Sequence, residues 1–194
     1  MGHAPPLMTA HEYFETPETV KPMELAFGAL RVADSPSAYH QSIVIELFRA
    51  LDRHVRERRL GRMWIAPLDV VLSEPRALIV QPDLFFIAHD SDGIVRDRVY
   101  GAPDLVIEVL SPNPRIGSTD ERVGWFAEFG VRECWLVHAD EVEISVLRFA
   151  DHEVASRARF RRDEPVSSEV LPDFAATLDD IILNDGRPFP FRRA

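Results

Sequence analysis

Cysteine and lysine are almost absent from this sequence of 194 residues, which contains one of each, Cys134 and Lys21. A single cysteine excludes an intrachain disulfide. Because Cys134 lies in an apolar run with no adjacent base, we expect a core side chain rather than a nucleophile. Apolar runs are also short. None reaches the roughly 18 residues of a membrane-spanning helix, so we expect a soluble protein.

Positive charge is scarce too, because 22 Lys and Arg residues face 32 Asp and Glu, for a formal net charge of −10 at pH 7. This excludes a protein whose surface is largely basic and binds nucleic acid non-specifically, but it allows a nuclease whose carboxylates bind a metal ion. A mechanism that needs lysine has only Lys21. The densest basic cluster, Arg157, Arg159, Arg161 and Arg162, is typical of a solvated strand edge or of a phosphate-contacting patch.

Targeting signals and several catalytic patterns are missing. Residues 1–7 lack the basic segment and apolar core of a secretory signal, which favours a cytoplasmic location. The histidines show no zinc-ligand spacing, and there is neither a glycine-rich phosphate loop nor a Gly-x-Ser-x-Gly elbow. These absences exclude the commonest zinc, nucleotide-binding and serine hydrolase sites.

Apolar periodicity and capping residues predict helices near the start of the chain and before its last strands. The helices are expected at residues 9–15, from the Ser35-Pro36 cap to Gly61, from the capping box at Ser118 to Gly130, and at residues 178–182. Strands are predicted at residues 24–32 as a hairpin turning near Gly28, and at 63–66, 69–72, 78–87, 105–110, 131–137, 142–149 and 154–160. Residues 89–93 are predicted as a loop, and residues 111–114 should end the 105–110 strand.

This order of elements predicts an α+β fold, with a mixed central β-sheet flanked by helices. The length suits one well-packed domain, so we expect residues 1–194 to form a single domain with a flexible start at residues 1–8.

Two of the apolar strands each contain one carboxylate, Asp83 in residues 78–87 and Glu108 in residues 105–110. Burying a carboxylate costs roughly several kcal/mol of folding free energy unless it is paired with a cation, hydrogen-bonded or bound to a metal. The two acids therefore suggest a metal site, although a nearby arginine or backbone amides would satisfy them equally well. Asp104 precedes Glu108 by four residues on the same strand face, but a turn role after Pro103 is expected for it.

Several motifs occur in the order and spacing of a known family. They are Glu24, Pro82-Asp83, Glu108 followed by residues 109–112, the 130–137 segment Gly-Val-Arg-Glu-Cys-Trp-Leu-Val, and weaker matches at residues 8–10, at the His40 helix and at residues 171–174. In these motifs the chain resembles the Uma-type family of restriction-endonuclease-like proteins, a branch of the PD-(D/E)xK nuclease superfamily. The resemblance covers nearly the whole chain.

The resemblance implies a restriction-endonuclease-like fold and a metal-dependent nuclease. It matches Asp83 and Glu108 to the acids that hold Mg²⁺ or Mn²⁺, with Glu24 assisting. Hard oxygen ligands suit these ions, and such an ion activates a water and polarises a phosphodiester. The family's lysine, four residues before an aromatic residue, corresponds to Arg122 before Phe126. Arginine keeps the charge but cannot accept a proton near neutral pH.

The resemblance therefore predicts hydrolysis of nucleic acid, with DNA as the expected substrate, at a site built from Asp83, Glu108, Glu24 and Arg122. A catalytically impaired relative kept for binding or assembly is the alternative, and a hydrolase of another phosphate ester is a third. A two-fold homodimer is expected, since a duplex has two strands to cut. His40 is expected at the margin of the core, with a site-facing role as the alternative.

Overall fold

The computed structural model describes residues 6–17, 21–110 and 118–182. Its helices are α1 (Ala10–Phe14), α2 (Ala38–Arg58), α3 (Thr119–Glu128) and α4 (Leu178–Ile182), with a 3-10 helix at His89–Ile94. Its strands are β1 (Met23–Ala26), β2 (Ala29–Val32), β3 (Gly61–Ile65), β4 (Val70–Ser73), β5 (Leu78–Val80), β6 (Leu84–Ala88), β7 (Val99–Tyr100), β8 (Leu105–Val109), β9 (Glu133–His138), β10 (Glu143–Ala150) and β11 (Glu153–Arg161).

The strands form two mixed sheets rather than the one central sheet that was predicted. The five-stranded sheet has the order β2-β1-β5-β4-β7, and the six-stranded sheet has the order β11-β10-β9-β8-β6-β3. Apolar side chains from both sheets and from α3 form the core between them. Helices α2 and α4 cover the other face of the six-stranded sheet, and α1 covers the outer face of the five-stranded sheet. The predicted α+β class is confirmed.

The predicted strand at residues 78–87 is in fact two strands, one in each sheet. β5 ends at Val80 and β6 begins at Leu84, so Asp83 lies in the connection between the sheets and not within a strand. Pro82 explains the break, because it has no N–H to donate to a sheet ladder. The consequence is that Asp83 lies where the chain passes from one sheet to the other.

Local turn and cap chemistry was predicted more accurately. The 24–32 hairpin turns through Phe27 and Gly28, whose φ angles of 49° and 85° are both positive, as a two-residue type I′ turn requires. Helix α3 has the predicted capping box, in which the Ser118 hydroxyl accepts from the Glu121 amide and the Glu121 carboxylate accepts from the Ser118 amide. This box sets the start of α3 and thereby the position of Arg122.

Helix α2 starts two residues later than predicted. Ser37, not Ser35, is the N-cap, because the Ser37 hydroxyl accepts the hydrogen bond of the His40 amide at 3.2 Å. The helix ends at Arg58, and Arg59 takes a left-handed conformation with φ of 54°. This start places His40 in the first turn of α2.

Residues 89–93, predicted as a loop, belong to the 3-10 helix. The Asp104 carboxylate accepts hydrogen bonds from the Ala88 amide at 2.8 Å and from the Ser91 hydroxyl at 3.3 Å, which ties the start of this helix to the segment just before β8. The carboxylate is also 3.1 Å from the Arg132 guanidinium. Asp104 is therefore a buried structural acid whose partners are distant in sequence, rather than the local turn residue that was expected.

Some expectations fall outside the described residues. They are the strand end at residues 111–114 and most of the flexible start, residues 1–5. Among the described helices, none has the length and apolar character needed to cross a membrane.

A buried carboxylate at the start of β9 holds the C-terminal segment against the sheet. Glu133 is fully buried, and it accepts hydrogen bonds from the Trp135 indole at 2.7 Å, the Ser168 hydroxyl at 2.6 Å and the Glu169 amide at 3.0 Å. The Arg148 guanidinium lies 3.5 Å from it. Glu133 therefore joins the sheet to the residues that lead to α4.

We predict that Glu133→Ala lowers the free energy of unfolding by about 3–5 kcal/mol, because it leaves the Trp135 indole and the other donors buried without an acceptor. Urea unfolding of both proteins measures this. Glu153→Ala, at an exposed acid, is the control and should change stability by less than about 0.5 kcal/mol. A Glu133 variant as stable as the control would show that the network does not hold the segment.

Candidate active site

The predicted site residues come together around one cavity of about 850 Å³. Its lining includes the three acids Glu24, Asp83 and Glu108 together with Arg122 and His40. Residues that are as much as 98 positions apart in sequence therefore share one space.

Both sheets and the helices α1, α2 and α3 each contribute part of this lining. Glu24 lies on β1 of the five-stranded sheet, and Glu108 lies on β8 of the six-stranded sheet. Within β8, Leu105, Ile107 and Val109 face the core under α2, so that Glu108 points to the opposite side, where α3 lies. Side-chain alternation in β8 thus places an acid directly against α3.

Arg122 joins the two sheets through their acids. Its Nη2 lies 2.6 Å and its Nε 3.1 Å from Glu108 Oε1, and its Nη1 lies 2.5 Å from Glu24 Oε2. The side chains of Arg122 and Glu24 are only 11% and 2% exposed, so this is a buried bridge and not a surface ion pair. Glu24 Oε1 also accepts from the Gln81 amide at 2.6 Å. The bridge fixes β1, β8 and α3 relative to one another.

Burial and neighbouring acids give Glu108 an unusual pKa. Burial, together with the charges of Asp83 and Glu24, raises the pKa of Glu108 to about 7, although the Arg122 charge acts to lower it. Burial alone would lower the pKa of Arg122, but Glu108 and Glu24 raise it above its ordinary value, so the guanidinium stays charged. Glu24, Asp83, Glu108 and Arg122 are thus three acids and one cation, and these four side chains together carry an excess of negative charge when the acids are ionised.

Asp83, in the connection between β5 and β6, lies next to the C-terminal end of β8 and contacts His40. Its Oδ2 accepts from the Val109 amide at 2.8 Å and lies 3.2 Å from His40 Nε2, which is also 3.1 Å from the Val109 carbonyl. Burial of the ring would lower the pKa of His40, but the Asp83 carboxylate, the Val109 carbonyl and Glu108 together raise it. The structure therefore places His40 at the site, where sequence reasoning had favoured the core margin.

The tautomer of His40 follows from these contacts. Nε2 faces two acceptors and so carries a proton, while the buried Nδ1 has no hydrogen-bond partner among the described residues. A second positive charge on His40 would offset part of the excess negative charge of Glu24, Asp83 and Glu108.

The donor set suits a hard divalent cation. In the described part of the chain, no cluster of three or more His, Cys, Asp or Glu side chains is arranged to hold a metal ion. Asp83 and Glu108 would supply two carboxylates, and Mg²⁺ commonly binds through one or two carboxylates while keeping several waters. A structural zinc site would need about four protein ligands. The excess negative charge and the oxygen donors fit Mg²⁺ or Mn²⁺.

Lys21 also lines the cavity, although its sequence neighbours show no motif. The only sign in the sequence was that the chain has no other lysine. The structure therefore brings the sole lysine to the same space as the acids.

A second polar group on the cavity wall was missed entirely. Asp69 accepts hydrogen bonds from the Tyr13 hydroxyl at 3.0 Å and from the side-chain amide (Nε2) of Gln81 at 2.8 Å. It also lies 3.2 Å from Arg98 Nε. No local pattern marks these residues, because they meet only when α1, β4 and β5 pack together. Cys134, in contrast, is buried as expected.

The Uma2 family, described as "Putative restriction endonuclease", matches residues 10–179, which is most of the chain. The chain belongs to the Uma2 family. No curated protein matches it.

A solved structure shares the fold of this Uma2 chain. It is described as "a putative nuclease belonging to DUF820 from Anabaena variabilis ATCC 29413", with a TM-score of 0.74 and 20% identity over 90% of this chain and 97% of that chain. The predicted restriction-endonuclease-like fold is confirmed. Family and fold together point to a nuclease.

The raised pKa of Glu108 predicts how stability depends on pH in metal-free protein. Between the ordinary value of 4.5 and about 7, folded Glu108 binds a proton that the unfolded chain has lost, so stability falls as pH rises through this window. His40, whose pKa is also raised, acts in the same direction at higher pH. We predict that the loss from Glu108 across the window is at most about 3.5 kcal/mol, since one pKa unit is worth about 1.4 kcal/mol.

The measurement is urea unfolding in EDTA at several pH values for the wild type and for Glu108→Gln. As pH rises, the unfolding free energy of the wild type should fall relative to that of Glu108→Gln, because glutamine does not titrate. Parallel pH profiles would rule out a raised pKa at Glu108.

Proposed function

We propose that the chain is a metal-dependent endonuclease that hydrolyses phosphodiester bonds of DNA with Mg²⁺ or Mn²⁺. The observation that supports this most is the meeting of Asp83 and Glu108 in one cavity with more negative charge than Arg122 balances. Asp83 and Glu108 would hold the ion, with Glu24 assisting from the opposite sheet. When bound, such an ion lowers the pKa of a water ligand and polarises the phosphoryl oxygen.

Arg122 would contact a phosphate of the substrate, and His40 would position Asp83. Arginine has five N–H donors, and the bridge to Glu24 and Glu108 uses three of them, which leaves two to contact a phosphate. His40 holds Asp83 in place from α2. The cavity size also suits a nucleotide unit, since ligand sites commonly measure about 300–1,000 Å³.

A catalytically impaired protein kept for binding or assembly is the second candidate. The Arg122 bridge favours it, because the guanidinium already compensates two of the acids without a metal ion and cannot take a proton from water. Metal-dependent cleavage separates the two candidates. The single-domain organisation, the cytoplasmic location and the two-fold dimer stay predictions, and sedimentation velocity tests the dimer.

We predict that Mn²⁺ or Mg²⁺ raises the melting temperature of the wild type, because an ion that binds only the folded state stabilises it. At an ion concentration about 100-fold above its Kd, the gain is about 2.7 kcal/mol. Asp83→Ala and Glu108→Gln should lose the shift and any cleavage of plasmid DNA, whereas Glu153→Gln, at an exposed acid, should keep both. An equal shift in all four proteins would place the ion elsewhere.

We further predict that Arg122→Lys raises metal-dependent cleavage, because lysine can orient or deprotonate a water near neutral pH and arginine cannot. Arg122→Ala should cleave less than either, since Glu24 and Glu108 lose their buried counter-charge. Initial rates of plasmid nicking measure all three proteins.

Lys21→Gln tests the lysine that lines the same cavity. If Lys21 supplies the lysine function, Lys21→Gln abolishes cleavage in both the wild type and Arg122→Lys. If Arg122→Lys shows no cleavage while Asp83 and Glu108 still give the metal-dependent melting shift, the binding or assembly candidate replaces the enzyme.

A further inference from the structure

Three arginines form a row on the outermost strand of the six-stranded sheet. β11 is an edge strand, and Arg157, Arg159 and Arg161 are all exposed on it. They alternate at i, i+2 and i+4, so they share one face and lie about 6.7 Å apart. We call these three residues the arginine stripe.

The stripe lies on the same face of the sheet as Glu108. Strand register pairs Glu108 with Leu136, Leu136 with Ser145, and Ser145 with Arg159. Directly paired residues in neighbouring strands project to the same side of a sheet. A single row therefore runs from the site acid to the middle of the stripe.

Although Leu136 and Ser145 between them are buried, the distance from Glu108 to the exposed stripe suits a duplex that contacts both. Three strand intervals of about 4.8 Å separate Glu108 from Arg159, or about 14 Å in all. With a rise of 3.4 Å per base pair, this is about four base pairs of B-DNA. The stripe would thus meet the backbone a few nucleotides from a phosphate held at the site.

The charges of the stripe are largely uncompensated. Arg159 lies 3.7 Å from Glu143, but Arg157 and Arg161 form no ion pair with the described residues. Arg162, the fourth basic residue of the cluster, faces the other way and pairs with Asp179 at 2.8 Å. Charge of either sign blocks unwanted pairing at a sheet edge, so that purpose does not require three arginines on one face.

We propose that the arginine stripe binds the phosphate backbone of duplex DNA beside the cleavage site. This inference rests on the proposed nuclease function and adds the surface that holds the substrate. It also explains how a chain with a net charge of −10 binds a polyanion, since the positive charge is concentrated on one strand edge. Phosphate contacts position the duplex without reading its sequence.

The test measures binding without cleavage. Fluorescence anisotropy of a labelled 20-base-pair duplex in EDTA, at several salt concentrations, gives Kd and its salt dependence. The slope of log K against log salt falls by about 0.9 for each lost phosphate contact. We therefore expect the triple variant R157Q/R159Q/R161Q to lower the slope by about 2–3 and to weaken binding roughly tenfold or more, equally for two unrelated sequences.

A charge-matched control comes from the far end of α2. R53Q/R56Q/R58Q removes three exposed arginines from a helix that covers the opposite face of the sheet. Arg58 is 18 residues after His40, about 27 Å along the helix from the site. This variant should keep the wild-type slope. Equal losses in both triple variants would mean that overall charge, not the stripe, governs binding and would overturn the proposal.

Other outcomes are equally decisive. A stripe variant with the wild-type Kd and slope overturns the proposal, as does a wild type that binds no duplex at low salt. If the triple variant does not fold by circular dichroism, R157Q and R161Q are tested singly, each with an expected slope change of about 1. Stripe-dependent binding without metal-dependent cleavage would retain the stripe and reject the nuclease function, so the two failures are distinguishable.

Discussion

The buried bridge from Arg122 to Glu24 and Glu108 is the interaction on which the rest of the structure depends. It connects one acid from each sheet through a helix that packs between them. Removing the cation would leave the carboxylates of Glu24 and Glu108 without a counter-charge beside Asp83, and an uncompensated buried charge is strongly destabilising. The ion pairs that place three charged side chains in the cavity therefore also fix the positions of the two sheets and α3 relative to one another.

Local chemistry was predictable wherever a short segment determines its own conformation. The Phe27-Gly28 turn and the Ser118 capping box depend on a few neighbouring residues, and both are found as expected. The number of sheets was not predictable, because the apolar run around Asp83 looks like one strand until Pro82 is read as a break between two ladders. Which sheet a strand joins depends on distant partners.

The same distinction separates the acids of the site from its other members. Glu108 was identifiable because a charge inside an apolar strand needs a partner, and the partner, Arg122, came from the resemblance to a family. His40, Lys21 and Asp69 reach the cavity only through the packing of whole elements. A histidine on an apolar helix face has the same pattern whether it packs against carbon or, as here, against a carboxylate and a carbonyl.

Arginine at position 122 stabilises the buried acids but reduces the negative charge that is available to bind a divalent ion. A planar guanidinium satisfies two carboxylates at once with fixed geometry, which a lysine ammonium does less well. The better it satisfies Glu24 and Glu108, the less negative charge remains to attract a divalent ion, and the more of its donors are withdrawn from a phosphate. Active sites commonly keep such unbalanced charge at a cost in stability. Here part of that imbalance persists, because Asp83 is a third acid beside the two that Arg122 bridges, and its charge adds to the effect of burial in raising the pKa of Glu108.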